Sequence, residues 1–241
     1  MTVIYTCQTN NTSQIVTPYI DKRFTYYAFT NQKRLPRPWI KIPIKKTKDE
    51  KKQQRYYKIN SHLFFKKNSV YVDSHIKIHK HLLDFSHKML QYKNYSTLVH
   101  PFRTCFIDEL YDWFILGLIN LQQVDNITKK FYKNIKKSYL CCVLIRKYSN
   151  ETVRTNSSWW KTFLKFNIRD QLPLILLNKN INTFTTQQIC LNHRERSPSS
   201  YMINKELFLK NFNLNHFFTQ TIERKLKVKY TIPNDIIKNR L

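Results

Sequence analysis

Three groups of residues in this 241-residue sequence are of types that could do chemistry. Asp108 and Asp112 stand four apart and could serve as paired carboxylates for proton transfer. A solvent-facing position, or one beside a basic neighbour, accounts for them as well. His75, His79 and His81 could hold a metal at helical spacing, although such histidines are more often ordinary polar positions. The five cysteines, Cys7, Cys105, Cys141, Cys142 and Cys190, form no Cys-x-x-Cys pair. Cys141 and Cys142 are adjacent in an apparent strand, so they point to opposite faces and cannot share a ligand sphere. A zinc site or disulfide framework is therefore not expected, and a reducing compartment fits. No catalytic, cofactor-binding or metal-ligating residue is assigned.

Gly117 is the only glycine in the chain and Ala28 the only alanine. A dinucleotide fingerprint or a P-loop needs several residues without a Cβ where backbone approaches phosphate, so neither can be built. Gly-x-Ser-x-Gly and His-Glu-x-x-His are absent too. "LGLIN" is superficially similar to the helix of LAGLIDADG homing endonucleases and maturases. Asn120, Leu121 and Gln122 follow it where that motif places an acidic metal ligand, and there is no second copy. The scarcity of Gly and Ala beside abundant Asn, Lys, Ile, Tyr and Phe marks an AT-rich gene, as in an organelle genome. The first 20 residues carry no Arg or Lys, so no import presequence is expected.

Charge is the strongest compositional signal. Against 42 Lys and Arg stand 15 Asp and Glu, a formal charge of +27. Self-repulsion on that scale calls for a polyanionic partner, of which nucleic acid is the commonest. The cations run along the whole chain rather than in one tail, which favours a protein embedded in RNA. The longest apolar run, Trp113 to Ile119, is too short for the roughly 20 residues that cross a bilayer, so no membrane span is expected.

With 41% hydrophobic and 15% aromatic residues, one core plus extensions can be built. Residues 1–68 read as a basic N-terminal extension: "RLPRPWIKIPIKKTKDEKKQQRYYK" mixes prolines, cations and aromatics. There Arg and Lys could meet phosphates while Trp39, Tyr56 and Tyr57 stack on bases; a solvated linker is the alternative. Residues 69–241 read as an α/β domain. "SVYVDSHIKIHKHLLDF" passes from strand-like to helical pattern, and "WFILGLINL", "YLCCVLI" and "LPLILLN" read as buried strands. "VDNITKKFYKNIKKSY" and "NTFTTQQICLNH" read as helices, and "SYMIN" as a shorter strand. This alternation predicts a parallel sheet. A helical segment is expected at about 205–228.

In order, these pieces resemble the small-subunit ribosomal protein S two family, in a divergent mitochondrial form. "GLINLQQVDNITKKF" resembles the family's apolar strand ending in Ile-Asn-Leu-Gln before its first long helix. "HLLDFSHK" resembles its Leu-Leu and His-Phe-Gly-His stretch, with Ser86 for glycine, and "HPF" at 100–102 its Pro-Tyr-Ile approach. "LPLILLNKN" is similar to the Leu-Pro-Asp strand, "SPSSYMIN" to the Ile-Pro strand, and "YTIPNDIIKNRL" to the closing Tyr-Pro-Ile-Pro-Gly-Asn-Asp. The resemblance covers roughly residues 81–204 and 229–241. The family's protruding helical hairpin is largely missing before Leu172, residues 205–228 are an insertion, and 1–68 have no counterpart.

The resemblance implies a flavodoxin- or Rossmann-like parallel sheet flanked by helices. It also implies a structural, non-enzymatic role in the mitochondrial small ribosomal subunit, beside small-subunit rRNA and neighbouring ribosomal proteins. Candidate phosphate-binding residues are Arg34, Arg37, Lys41, Lys45, Lys46 and Arg55 in the extension. Around the domain they are His87, Lys88, Arg103, Arg146, Lys147, Lys161 and Lys165. Competing readings are an accessory subunit of an organellar respiratory complex and the organellar nuclease or maturase.

Overall fold

A computed structural model describes residues 1–9, 14–100, 106–115, 119–131, 138–166, 169–177 and 181–189. The fold is α/β, an open seven-stranded sheet flanked by helices. Its strands are β1 (Thr2–Gln8), β2 (Phe24–Thr30), β3 (Ile40–Ile42), β4 (Ser69–Val72), β5 (Tyr95–Val99), β6 (Tyr139–Arg146) and β7 (Asn182–Phe184), in the order β3-β2-β1-β4-β6-β5-β7. Parallel pairing joins β3, β2, β1 and β4, and again β5 and β7. Only β6 runs antiparallel to its neighbours, β4 and β5.

All eight residues of β6 are buried, as its run of apolar and β-branched side chains demands of a strand covered on both faces. Cys141 and Cys142 do point to opposite faces, each into a different apolar cluster. The β5–β6 register shifts between Thr97 and Leu98. There the Thr97 hydroxyl lies 3.4 Å from the Leu140 carbonyl and 3.1 Å from that of Val143, satisfying backbone that the irregular pairing would leave without a donor.

The two faces are covered unequally. One carries α1 (Glu50–Ile59), α2 (Ser61–Phe64), α4 (Phe106–Ile115), α5 (Leu121–Phe131), α6 (Asn150–Phe166) and α7 (Gln171–Leu176). The other is closed by α3 (Lys80–Tyr92), a 3₁₀ turn at Gln187–Ile189, and loop residues Ile15, Trp39, Ile76 and Ile78. Ser86, fully buried in α3, sits where a small side chain is needed.

Several expectations are corrected. Residues 1–68 are no extension beside the domain. They supply β1, β2, β3, α1 and α2, and β1 is a central strand with six buried residues. The described part of "WFILGLINL" is not strand: Trp113 to Ile115 end α4, and α5 starts at Leu121, while residues 116–118, Gly117 among them, lie outside the described residues. Phe106, Leu110 and Trp113 bury one face at helical spacing. Asn120 and Gln123 form a capping box, with the Asn120 amide donating to Gln123 Oε1 at 2.9 Å and the Gln123 amide to Asn120 Oδ1 at 2.8 Å. "LPLILL" is the helix α7, buried from Leu172 to Leu176, with Pro173 in the first turn where its missing N–H costs nothing. The expected helix at "NTFTTQQ" is instead β7 and the 3₁₀ turn. "SYMIN" and 205–228 lie outside the described residues.

Candidate nucleic-acid interface

The thirteen basic residues singled out from sequence divide by burial. Arg146, the last residue of β6, is only 1% exposed and points under the C-terminus of α1. A helix end leaves carbonyls without donors. Arg146 supplies them, with Nη1 donating to Ile59 O at 3.1 Å and Nη2 to Lys58 O at 3.1 Å. Its guanidinium also donates to the Tyr5 hydroxyl, which in turn donates to Lys58 O at 2.7 Å. Asn156 of α6 accepts from it at 3.4 Å, and the Tyr5 and Tyr95 rings lie 5.6 and 5.9 Å from its centre. Arg146 thus ties β6, α1, β1 and α6 together and is not available to phosphate.

Arg55 is corrected for a similar reason. Its Nε lies 2.6 Å from Asp170 Oδ1, while Lys58 Nζ lies 2.7 Å from the other carboxylate oxygen. Lys58 also approaches Asp73 at 3.9 Å and the Tyr71 ring at 5.2 Å. Asp170 is buried, and burial raises its pKa. The Arg55 and Lys58 charges more than offset that, holding the carboxyl well below its usual range. Burial likewise works against the Lys58 ammonium, but Asp170 and Asp73 raise its pKa on balance. Sequence reasoning missed this cluster. The available signal was a carboxylate two residues before the apolar run "LPLILL", at the N-cap of the buried helix α7.

Arg34, Arg37, Lys41, Lys45, Lys46, Lys88, Lys147, Lys161 and Lys165 are exposed, and His87 is half-buried. Arg103 lies outside the described residues. They do not form one patch. Lys161 and Lys165 lie on α6, on the helix-rich face, whereas His87 and Lys88 lie on α3 across the sheet. The densest group is at the β3 edge. Between residues 33 and 52, nine cations (Lys33, Arg34, Arg37, Lys41, Lys45, Lys46, Lys48, Lys51 and Lys52) are exposed, and none makes an ion pair with a described carboxylate. Lys41 and Pro43 also blunt an edge that could otherwise pair with another strand. Trp39, expected to stack on bases, is instead buried, its Nε1 donating to Val16 O at 3.0 Å.

The carboxylates explain why the surface cations stand alone. Asp170 and Glu109 are buried, and Glu109 accepts from Ser138 at 2.5 Å. Asp49 caps α1 by accepting from the Lys52 amide at 2.9 Å. Asp21 and Asp84 hold Arg23, Asp84 holds Lys80 at 2.6 Å as well, and Glu151 accepts from Asn94 at 2.7 Å. These acids are taken up by the architecture.

A polar cleft of about 390 Å³ opens at the carboxyl ends of β1 and β4, lined by Gln8, Gln54, Arg55, Asp73, Ser74 and His75 among others. Open α/β sheets bind ligands at such a point. Here the lining groups are largely engaged with one another: Ser74 donates to Gln8, Tyr71 to Asp73 at 2.7 Å, and Gln54 to Cys7 O at 3.2 Å. His75, His79 and His81 are exposed, and His81 contacts Gln188 O at 2.9 Å. Among the described residues no three His, Cys, Asp or Glu side chains gather as metal ligands. Asp108 and Asp112 both lie within α4. Among those residues also, no helix is long and apolar enough to cross a membrane. No protein-family model matches this chain, and no curated protein matches its sequence.

Proposed function

We propose that this chain is an RNA-binding structural protein of a ribonucleoprotein, namely the mitochondrial small ribosomal subunit that the sequence resemblance indicates. One observation carries the RNA-binding part. In a chain of net charge +27, the carboxylates named above are committed to buried, capping or surface contacts, while most of the described Lys and Arg stand exposed without a described ion pair. Such a surface gains free energy by releasing counterions from phosphates, with sequence mostly unread. The role is positioning of rRNA, not catalysis. The ribosomal part rests on the sequence motifs, of which "HLLDFSHK" lies in α3, "LPLILL" is helical, and "YTIPNDIIKNRL" lies outside the described residues.

Sedimentation of detergent-lysed mitochondria through sucrose, with and without Mg²⁺ depletion, followed by mass spectrometry, tests this. Co-migration with the small subunit under both conditions is expected. Migration with a respiratory complex, or retention at the top of the gradient, overturns the ribosomal assignment. Mg²⁺-dependent cleavage of duplex DNA by the purified chain would overturn the non-catalytic role.

A further inference from the structure

The helix-rich face carries an apolar seam where α1, α2 and α6 meet, and part of it is left uncovered. Leu63 is 58% exposed, Leu164 43% and Phe64 37%. Tyr56 ties the seam together, its ring 5.8 Å from Phe64 and 5.3 Å from Trp160, both edge-on. Trp160 is half-buried and backed by Phe163, which stacks on it at 5.2 Å. Leu164 follows one turn after Trp160 and therefore extends the same strip. The strip is thus rigid from behind and open in front.

Cations run alongside it. Arg154, Lys161 and Lys165 are exposed on α6 at i, i+7 and i+11, which an α-helix places in one line next to the Trp160–Leu164 strip. Lys66 and Lys67, also exposed, follow directly on α2. None of these five pairs with a described carboxylate. Exposed aromatic and aliphatic surface bordered by one sign of charge is the pattern of single-strand nucleic-acid binding, with bases on the apolar strip and phosphates on the flanking cations. The core of a protein–protein contact is typically depleted of lysine, which disfavours that occupant.

We propose that the α1–α2–α6 seam is a stacking platform for single-stranded RNA, with Phe64 and Trp160 under the bases and Arg154, Lys161 and Lys165 on the backbone. This rests on the RNA-binding reading and adds the place and the single-stranded form. Trp160 offers a direct readout, because Trp39, Trp113 and Trp159 are all buried. Full-length protein is titrated with a short oligouridine and with an RNA duplex, following tryptophan fluorescence and anisotropy. Expected are quenching by oligouridine that disappears in Trp160→Phe, and single-strand affinity about tenfold weaker in Phe64→Ala, the scale of one stacked base, with duplex affinity little changed. Circular dichroism checks folding. Should Phe64→Ala unfold, the outward-facing pair Arg154→Glu and Lys161→Glu carries the test, with Lys45→Glu and Lys46→Glu at the β3 edge as comparison. RNA binding without quenching, and with seam variants no weaker than the β3-edge pair, overturns the platform while leaving RNA binding intact. Seam variants that change self-association but not RNA affinity overturn it in favour of a contact between copies. No RNA binding at low salt overturns both.

Discussion

Arg146 and Lys41 are both cations at strand positions, yet they do opposite things. Arg146 is enclosed by carbonyls, a phenol and an amide and holds four elements together. Lys41 stands on the edge strand β3, exposed, with no described ion-pair partner. The same contrast separates Arg55 and Lys58, locked on Asp170, from Lys45 and Lys46 a few residues earlier. Net charge counts all six alike. What distinguishes them is whether the fold has already supplied acceptors, a carboxylate for Arg55 and Lys58 and neutral oxygens for Arg146. An interior cation needs such partners, because desolvation is costly, whereas a surface cation without them is available to phosphate.

The largest effect expected from breaking this division is at Asp170. Asp170→Asn leaves the buried Lys58 and the partly buried Arg55 without their carboxylate and should cost about 3–5 kcal/mol in urea unfolding. Adding Lys58→Met to that variant should restore part of the stability; an additive double variant would mean that the two do not interact. Next is Arg146→Met, which orphans the Lys58 and Ile59 carbonyls and should cost about 3 kcal/mol. RNA affinity, measured on the folded fraction by anisotropy, should not change; a specific weakening would return Arg146 to the interface.

Acid unfolding sharpens the comparison further. Asp170 has its pKa lowered by folding, so its contribution is present above its ordinary value near 3.8 and is lost as pH falls below that. His62, whose pKa burial and Arg146 lower below 6.5, favours the neutral form in the fold, so stability should already begin to decline below that pH. Urea midpoints across this range should therefore fall in two stages. In Asp170→Asn the lower stage should flatten. Smallest in stability, and the converse of the others, is the triple change Lys41→Gln, Lys45→Gln and Lys46→Gln. It should leave the urea midpoint in place while lowering the salt slope of RNA binding by about 1 for each of these lysines that meets a phosphate.

How much of this was legible in the sequence follows from what each signal can distinguish. β6 was readable because β-branched residues and a short apolar run between polar flanks have few other solutions. The passage from β4 to α3, and Val124 and Ile127 on the buried face of α5, were readable from the change of period. A continuous apolar run does not separate a buried strand from a buried helix, so Trp113 to Ile119 and Leu172 to Leu176 read as strands. Asn120 and Gln123 did carry the helix-start signature, and "LPLILL" is dominated by leucine, a good helix former, with Ile175 its single β-branched residue. In residues 1–68, prolines and lysines obscured β1 and β2, whose pattern of Val, Ile, Tyr, Phe and Thr is that of buried strands. The site divided in the same way. Surface cations could be named from composition, but the buried ones could not, since their partners Asp170, Asn156 and Tyr5 come from distant parts of the chain.

The reversed direction of β6 has a consequence for assembly in time. Within the sheet, β4 and β5 have no bond to each other; each is joined to β6, which lies between them. As the chain leaves a translating ribosome, β1 to β4 can pair as they emerge, but β5 must wait until Tyr139–Arg146 has followed. Until then the far border of β4 is an open edge, and the arrival of β6 unites the two halves of the sheet in one step, from the middle outward.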